Sequence, residues 1–145
     1  MDFDPPSGRI TTDRGELQVN LKGADDSSSY SLYHVSGGEC VAGMAQTSVT
    51  WKGKPLVSGP SGGYVYFFSA DGSDFGKARK IYAKSEAPGN LVIGGRSARP
   101  RSVTLVDVSP LGNATLESLS WAPRGGGIEI SISPTLQAYW VQVDW

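Results

Sequence analysis

The chain has 145 residues, 39% of them hydrophobic, and a formal charge of −1, enough for a single domain that closes a real core. One histidine and one cysteine exclude a multi-histidine metal site, a zinc ribbon and an internal disulfide framework. Nineteen glycines and nine prolines without low-complexity runs point to many tight turns, and hence to a fold of many short strands.

The chain opens on Asp2-Phe3-Asp4-Pro5-Pro6, and residues 1–8 read as a hinge segment. Leu17, Val19 and Leu21 alternate with Glu16, Gln18, Asn20 and Lys22, the pattern of a half-buried strand between Gly15 and Gly23. Residues 24–29 form a polar turn. Residues 30–35 read as a strand ended by Ser36-Gly37-Gly38, and residues 44–51 as another, with Ala45, Thr47, Val49 and Trp51 on one side. Lys52-Gly53-Lys54-Pro55 breaks that pattern, and residues 58–63 form a loop.

Residues 63–70 are apolar on both sides, with Tyr64, Tyr66 and Phe68 against Val65 and Phe67. Such a strand is expected between layers or under a loop. Residues 74–82 offer one or two helical turns, within which Arg79 and Ile81 begin a further alternation. Residues 101–108, 115–122, 127–133 and 136–145 complete the set. Ile128, Ile130 and Ile132 against Glu129, Ser131 and Ser133 make the cleanest one-sided strand.

About nine or ten strands with turn signals every 8 to 12 residues make an all-β fold. The expected architecture is an antiparallel β-sandwich of jelly-roll type, with a closed β-barrel as the alternative. The whole of 1–145 is expected to be one domain, excised from a larger protein, with 140–145 a second hinge candidate. No apolar signal core follows Met1, and no stretch approaches the roughly 20 apolar residues of a membrane helix, so membrane insertion is not expected.

Several motifs resemble chemistry and fail on context. Gly59-Pro60-Ser61-Gly62-Gly63 matches G-x-S-x-G, yet a strand follows where the hydrolase elbow needs a helix. His34 and Cys40 could face each other across a hairpin, but a lone cysteine is more often a small buried apolar residue. Asp71 and Asp74 are the nearest approach to a calcium loop, and they lack the EF-hand spacing. Aspartate and glycine also favour such turns for backbone reasons. Glu117 and Glu129 lie on apparent strands in solvent-facing positions. No catalytic residue, metal or cofactor is expected.

Charge distribution carries the main functional signal. Residues 1–76 are net −4 and residues 102–145 net −3, whereas residues 77–101 are net +6. Arg96, Arg99 and Arg101 stand on a glycine- and proline-limited loop from which side chains are expected to fan outward, reinforced by Lys77 and Lys80. Arginine's planar donor fork suits sulfate, phosphate and carboxylate. The expected ligand is an anionic glycan or a receptor, with nucleic acid disfavoured by the overall charge. Tyr30, Tyr33 and Tyr64, beside loops, are the candidate exposed aromatic contacts; Trp51, Trp121 and Trp140 are expected in the core.

In size, turn density, scarcity of cysteine and the two hinge candidates, Asp2-Phe3-Asp4-Pro5-Pro6 and Trp140 to Trp145, the chain resembles the protruding domains of small non-enveloped RNA-virus capsid proteins. That resemblance implies a β-sandwich on the virion surface, host attachment and dimer or trimer contacts with copies of itself. It transfers no individual binding residue. The alternative reading is a carbohydrate-binding module of a larger secreted protein, extracellular and non-enzymatic.

Overall fold

A computed structural model describes residues 32–46, 48–60, 62–96, 99–108, 111–112, 114–134 and 139–145, with the backbone alone at 2–4, 9–12, 15–20 and 31. Its first seven strands are β1 (Asp2–Asp4), β2 (Arg9–Thr12), β3 (Gly15–Asn20), β4 (Ser31–Ser36), β5 (Glu39–Gln46), β6 (Ser48–Trp51) and β7 (Lys54–Ser58). Then come β8 (Tyr64–Ser69), β9 (Lys80–Ser85), β10 (Gly89–Ile93) and β11 (Ser102–Asp107). Last are β12 (Ala114–Ser118), β13 (Ala122–Pro123), β14 (Ile128–Ile132) and β15 (Trp140–Asp144).

Two antiparallel sheets hold these strands. The larger runs β1-β2-β3-β4-β5-β8-β9-β15-β11-β12, and the smaller runs β13-β14-β10-β7-β6. Neither closes on itself, so the fold is an all-β sandwich and not a barrel. Hairpin neighbours build one end of the large sheet. Elsewhere the chain crosses between sheets, and β15 lies between β9 and β11. No helix among the described residues is long and apolar enough to cross a membrane.

The expected strand at 44–51 divides. Its first part ends β5 in the large sheet and its second is β6 in the small one, so the chain passes from one sheet to the other between Gln46 and Ser48; Thr47 lies outside the described residues. The expected helical turns at 74–82 reduce to one turn, in which the Lys77 and Ala78 amides donate to the Asp74 carbonyl at 2.9 and 2.8 Å. Strand β9 begins at Lys80, where β15 takes up the ladder hydrogen bonds that a helix would have made internally.

The core fills by size matching across the register. One inward row reads Gly43, Phe67, Ala83, Val141, Leu105 across β5, β8, β9, β15 and β11. Phe67 is buried between the small Gly43 and Ala83, and Phe75 meets its ring edge-on at 4.8 Å. From the small sheet come Val49, Val57, Leu91, Ile93, Ile128, Ile130 and Ile132, all buried. The isoleucine alternation therefore marks a true inward face, with Glu129 and Ser131 turned outward.

Strand β8 is apolar on both sides for a reason the alternation left open. Val65 and Phe67 enter the core, while Tyr64, Tyr66 and Phe68 lie on the outer face of the large sheet. Phe68 stacks on Tyr82 at 4.8 Å, and Trp140 meets Phe68 and Tyr66 edge-on at 5.1 and 6.5 Å. The rings cover one another, which leaves Tyr82 only 6% exposed. At the end of this layer the Tyr66 hydroxyl and the Tyr64 amide donate to the Glu86 carboxylate.

Two predictions follow from this packing. A methyl at Gly43 would lie 2.5 Å from the Leu32 carbonyl oxygen and 2.8 Å from the Phe67 ring. Gly43→Ala should therefore lower stability by about 1–3 kcal/mol in urea titration. The Tyr66 hydroxyl and then the Tyr64 amide hold the Glu86 carboxyl below its ordinary 4.5. Their stabilisation is present above that unfolded value and is lost as pH falls through the lower folded one. NMR titration of Tyr66→Phe should show the Glu86 carboxyl moving back up.

Candidate functional site

The basic loop expected to splay outward divides into one anchored and two exposed arginines. Arg96 folds inward: its guanidinium donates to the Phe75 carbonyl at 2.8 Å and lies 3.9 Å from the centre of the Trp145 ring. Its amide donates to the Gly126 carbonyl at 2.9 Å. Burial lowers its pKa, and the charge of Asp74 acts in the opposite direction. Arg96 is thus a tie between three loops, which corrects its place among outward-fanning ligand contacts.

Arg99 is exposed and sits 5.3 Å from the centre of the Trp121 ring. Arg101 is exposed, with its amide donating to the Asp144 carbonyl at 2.6 Å. Lys80 pairs with Asp144 at 3.7 Å on the large sheet, and Lys77 with Glu39 at 4.0 Å. The five basic residues do not form one patch.

What the fold brings to Arg99 is the hairpin between β13 and β14. A cleft of about 310 Å³ is lined by Arg99, Arg96, Trp121, Pro123, Arg124 and the backbone of Gly125 to Gly127. Arg124 pairs with the Glu129 carboxylate and stays exposed. The hairpin turns through Gly125 at φ +49° and Gly126 at φ +82°, a left-handed conformation that suits glycine. At Gly127 any side chain would collide with the Ile93 carbonyl, so the hairpin can lie directly on the strand end that leads to Arg96.

Arg124 escaped the sequence reading because it lies in the acidic last third of the chain, and Trp121 was expected in the core because it alternates with apolar neighbours. The available signal was local. Arg124 is the only base in that third and directly precedes three glycines. A cation on a hairpin with no neighbouring side chains is accessible by construction.

The aromatic expectations separate as well. Tyr33 is 3% exposed and packs against Trp51 at 5.6 Å, so it belongs to the core and not to a contact surface. Tyr64 is half-buried at the end of the outer aromatic layer. Tyr30 lies outside the described residues. Trp51 and Trp121 are partly buried against the core, whereas Trp140 lies in the outer layer and not in the core.

The weighed chemical motifs have structural occupations. Cys40 points into the core opposite Val35, while His34 lies in the adjoining register position opposite Ala42, on the other face. Burial, aided by the charge of Asp74, pushes the Cys40 thiol up to about 12. The Asp71 carboxylate accepts from the Ser73 hydroxyl at 2.6 Å and its amide at 3.0 Å, bonds that hold its pKa below the ordinary range. Asp74 accepts from the Gly76 amide at 3.4 Å. Both aspartates act as turn formers. Among the described residues no three His, Cys, Asp or Glu side chains gather to hold a metal. Ser61 of the G-x-S-x-G match lies outside the described residues, and strand β8 follows it from Tyr64. Glu117 is exposed on β12.

Cys40 supplies a prediction. The native thiol should resist alkylation at pH 8 and react only in denaturant, as followed by mass spectrometry. Its burial contributes stability that is complete below the unfolded value of 9.0 and is lost as pH rises towards about 12. Cys40→Ala should therefore reduce the alkaline loss of stability.

No protein-family model, curated protein or solved structure matches this chain.

Proposed function

We propose that this chain is a non-enzymatic surface-recognition and assembly module, the protruding domain of a viral capsid protein, displayed on the virion. In this reading the cleft between Arg99 and Arg124 holds an anionic group of a host-surface glycan. The observation that carries it is the pairing of two exposed guanidiniums with a tryptophan beside a side-chain-free glycine backbone. Each guanidinium presents several donors in one plane, so Arg124 retains N–H groups for a ligand beyond its bond to Glu129.

The assembly half of the reading draws on the edge of the large sheet. All five residues of β12 are exposed, and among the described residues only β11 pairs with them. Leu116 is 48% exposed and the preceding Leu111 fully so. An unpaired strand edge carrying exposed leucines is suited to contact with another copy of the chain.

A carbohydrate-binding module is the second reading, favoured by Trp121 and Pro123, which offer an apolar wall in the same cleft. Neutral polysaccharide would then bind with little salt dependence. The capsid reading expects salt-sensitive binding to sulfated or sialylated glycans, together with a dimer or trimer by light scattering.

The arginines give a direct test. Arg99→Ser with Arg124→Ser should weaken binding to immobilised heparin roughly tenfold and leave the melting temperature unchanged. Arg96→Ser should instead lower stability by about 1.5–3 kcal/mol, because its charged hydrogen bond to Phe75 is lost. Unchanged heparin binding in the double variant would refute the anionic-ligand reading.

A further inference from the structure

We infer that the binding cleft continues into a second cationic subsite around Lys52, Lys54 and Lys77, so that the ligand is an extended sulfated glycan chain and not a single terminal acidic sugar. This rests on the anionic-ligand reading above and specifies its substrate.

Continuity comes from shared walls. The Arg99 cleft shares Arg124 and Gly125 with a middle cleft of about 240 Å³ against Pro55 and Gly94. That middle cleft shares Gly95 with a third, of about 440 Å³, lined by Trp51 and the three lysines. All three follow one end of the small sheet, where the β6–β7 turn, the exit of β10 and the β13–β14 hairpin meet. Gly94 permits this closeness, since a methyl there would lie 2.7 Å from the Pro55 carbonyl oxygen. A cationic cleft thus stands at each end of one groove.

Lys52 adds an independent observation. The two-residue turn between β6 and β7 has φ of +50° at Lys52 and +78° at Gly53. A hairpin of this kind favours asparagine, aspartate or glycine at both positions, because left-handed backbone strains other side chains. A lysine is held there against that preference. Its ammonium donates to the Gly38 carbonyl at 2.7 Å and lies 5.8 Å from the centre of the Trp51 ring. One ammonium has three donors, so two are left for a ligand.

The same geometry selects glycan over single-stranded nucleic acid. A base needs an open aromatic face on which to stack. Here each groove tryptophan packs against the core and carries a cation near its ring, Lys52 at Trp51 and Arg99 at Trp121. The groove displays spaced positive charge with little free ring surface, which matches sulfates along a sugar chain.

The test uses heparin oligosaccharides from disaccharide to dodecasaccharide, with calorimetry on the intact chain. Affinity should rise steeply at the length that reaches both clefts. Lys54→Ser with Lys77→Ser, both exposed positions, should weaken the longest chain roughly tenfold and leave the disaccharide unaffected. Lys52→Asn should hold or raise the melting temperature while weakening the long chain, separating charge from fold. If the lysine variants bind the dodecasaccharide as well as wild type while Arg99→Ser/Arg124→Ser loses it, the second subsite is overturned and the anionic-ligand reading stands. Loss in neither set overturns both. Tighter binding to a single-stranded oligonucleotide of equal charge overturns the glycan assignment, and a fall in melting temperature in Lys52→Asn overturns the functional reading of that lysine.

Discussion

The guanidinium of Arg96 fastens the end of the sandwich on which the groove depends. It joins the Phe75 carbonyl, the face of Trp145 and, through its own amide, the Gly126 carbonyl. Those partners belong to the turn after β8, the end of the chain and the β13–β14 hairpin. The half-buried guanidinium satisfies the Phe75 carbonyl beside the core, and the nearby Asp74 charge offsets part of the cost of its burial. With the hairpin tied down, Arg99 and Arg124 are presented at a defined separation.

Close approach of bare backbone is the second condition. Gly94 and Gly127 sit where a side chain would strike the Pro55 and Ile93 carbonyls, so the strand ends of the small sheet are drawn together. That closeness leaves shallow, side-chain-free walls between clusters of cations. Phe75 closes the core beneath the same end, meeting Phe67 and donating its amide to the Cys40 carbonyl. The buried thiol of Cys40 contributes packing at the same place.

The two sheets divide the work. The small sheet carries the charged rim, while the large one carries an outer aromatic layer and an exposed edge at β12. Aromatic rings on this outer sheet face shield one another, a partial substitute for burial that also stiffens the face. An edge with exposed leucines is unfavourable in isolation and suits a molecule that meets copies of itself. In the proposed reading, recognition and assembly thus occupy separate surfaces and could change independently.

Strand character was legible from alternation alone wherever one face meets the core. Ile128, Ile130 and Ile132, or Leu105 and its neighbours, report burial because the two-residue repeat of a strand is local geometry. Strands β7 and β10 were not legible, since Leu56-Val57 and Leu91-Val92-Ile93 are too short to show a period and Pro55 reads as a breaker. The basic band 77–101 was visible as composition, but composition carries no direction. Whether an arginine turns inward, as Arg96 does, or outward, as Arg99 does, depends on carbonyls and rings supplied by residues 21 to 49 positions away in the chain. The meeting of Arg99 with Arg124 and of Lys77 with Lys52 likewise depends on strand order across two sheets. The sequence by itself therefore determined an all-β chain with a positive central band and a single cysteine. Tertiary structure decided which charges share a groove, because only long-range strand pairing brings those residues together.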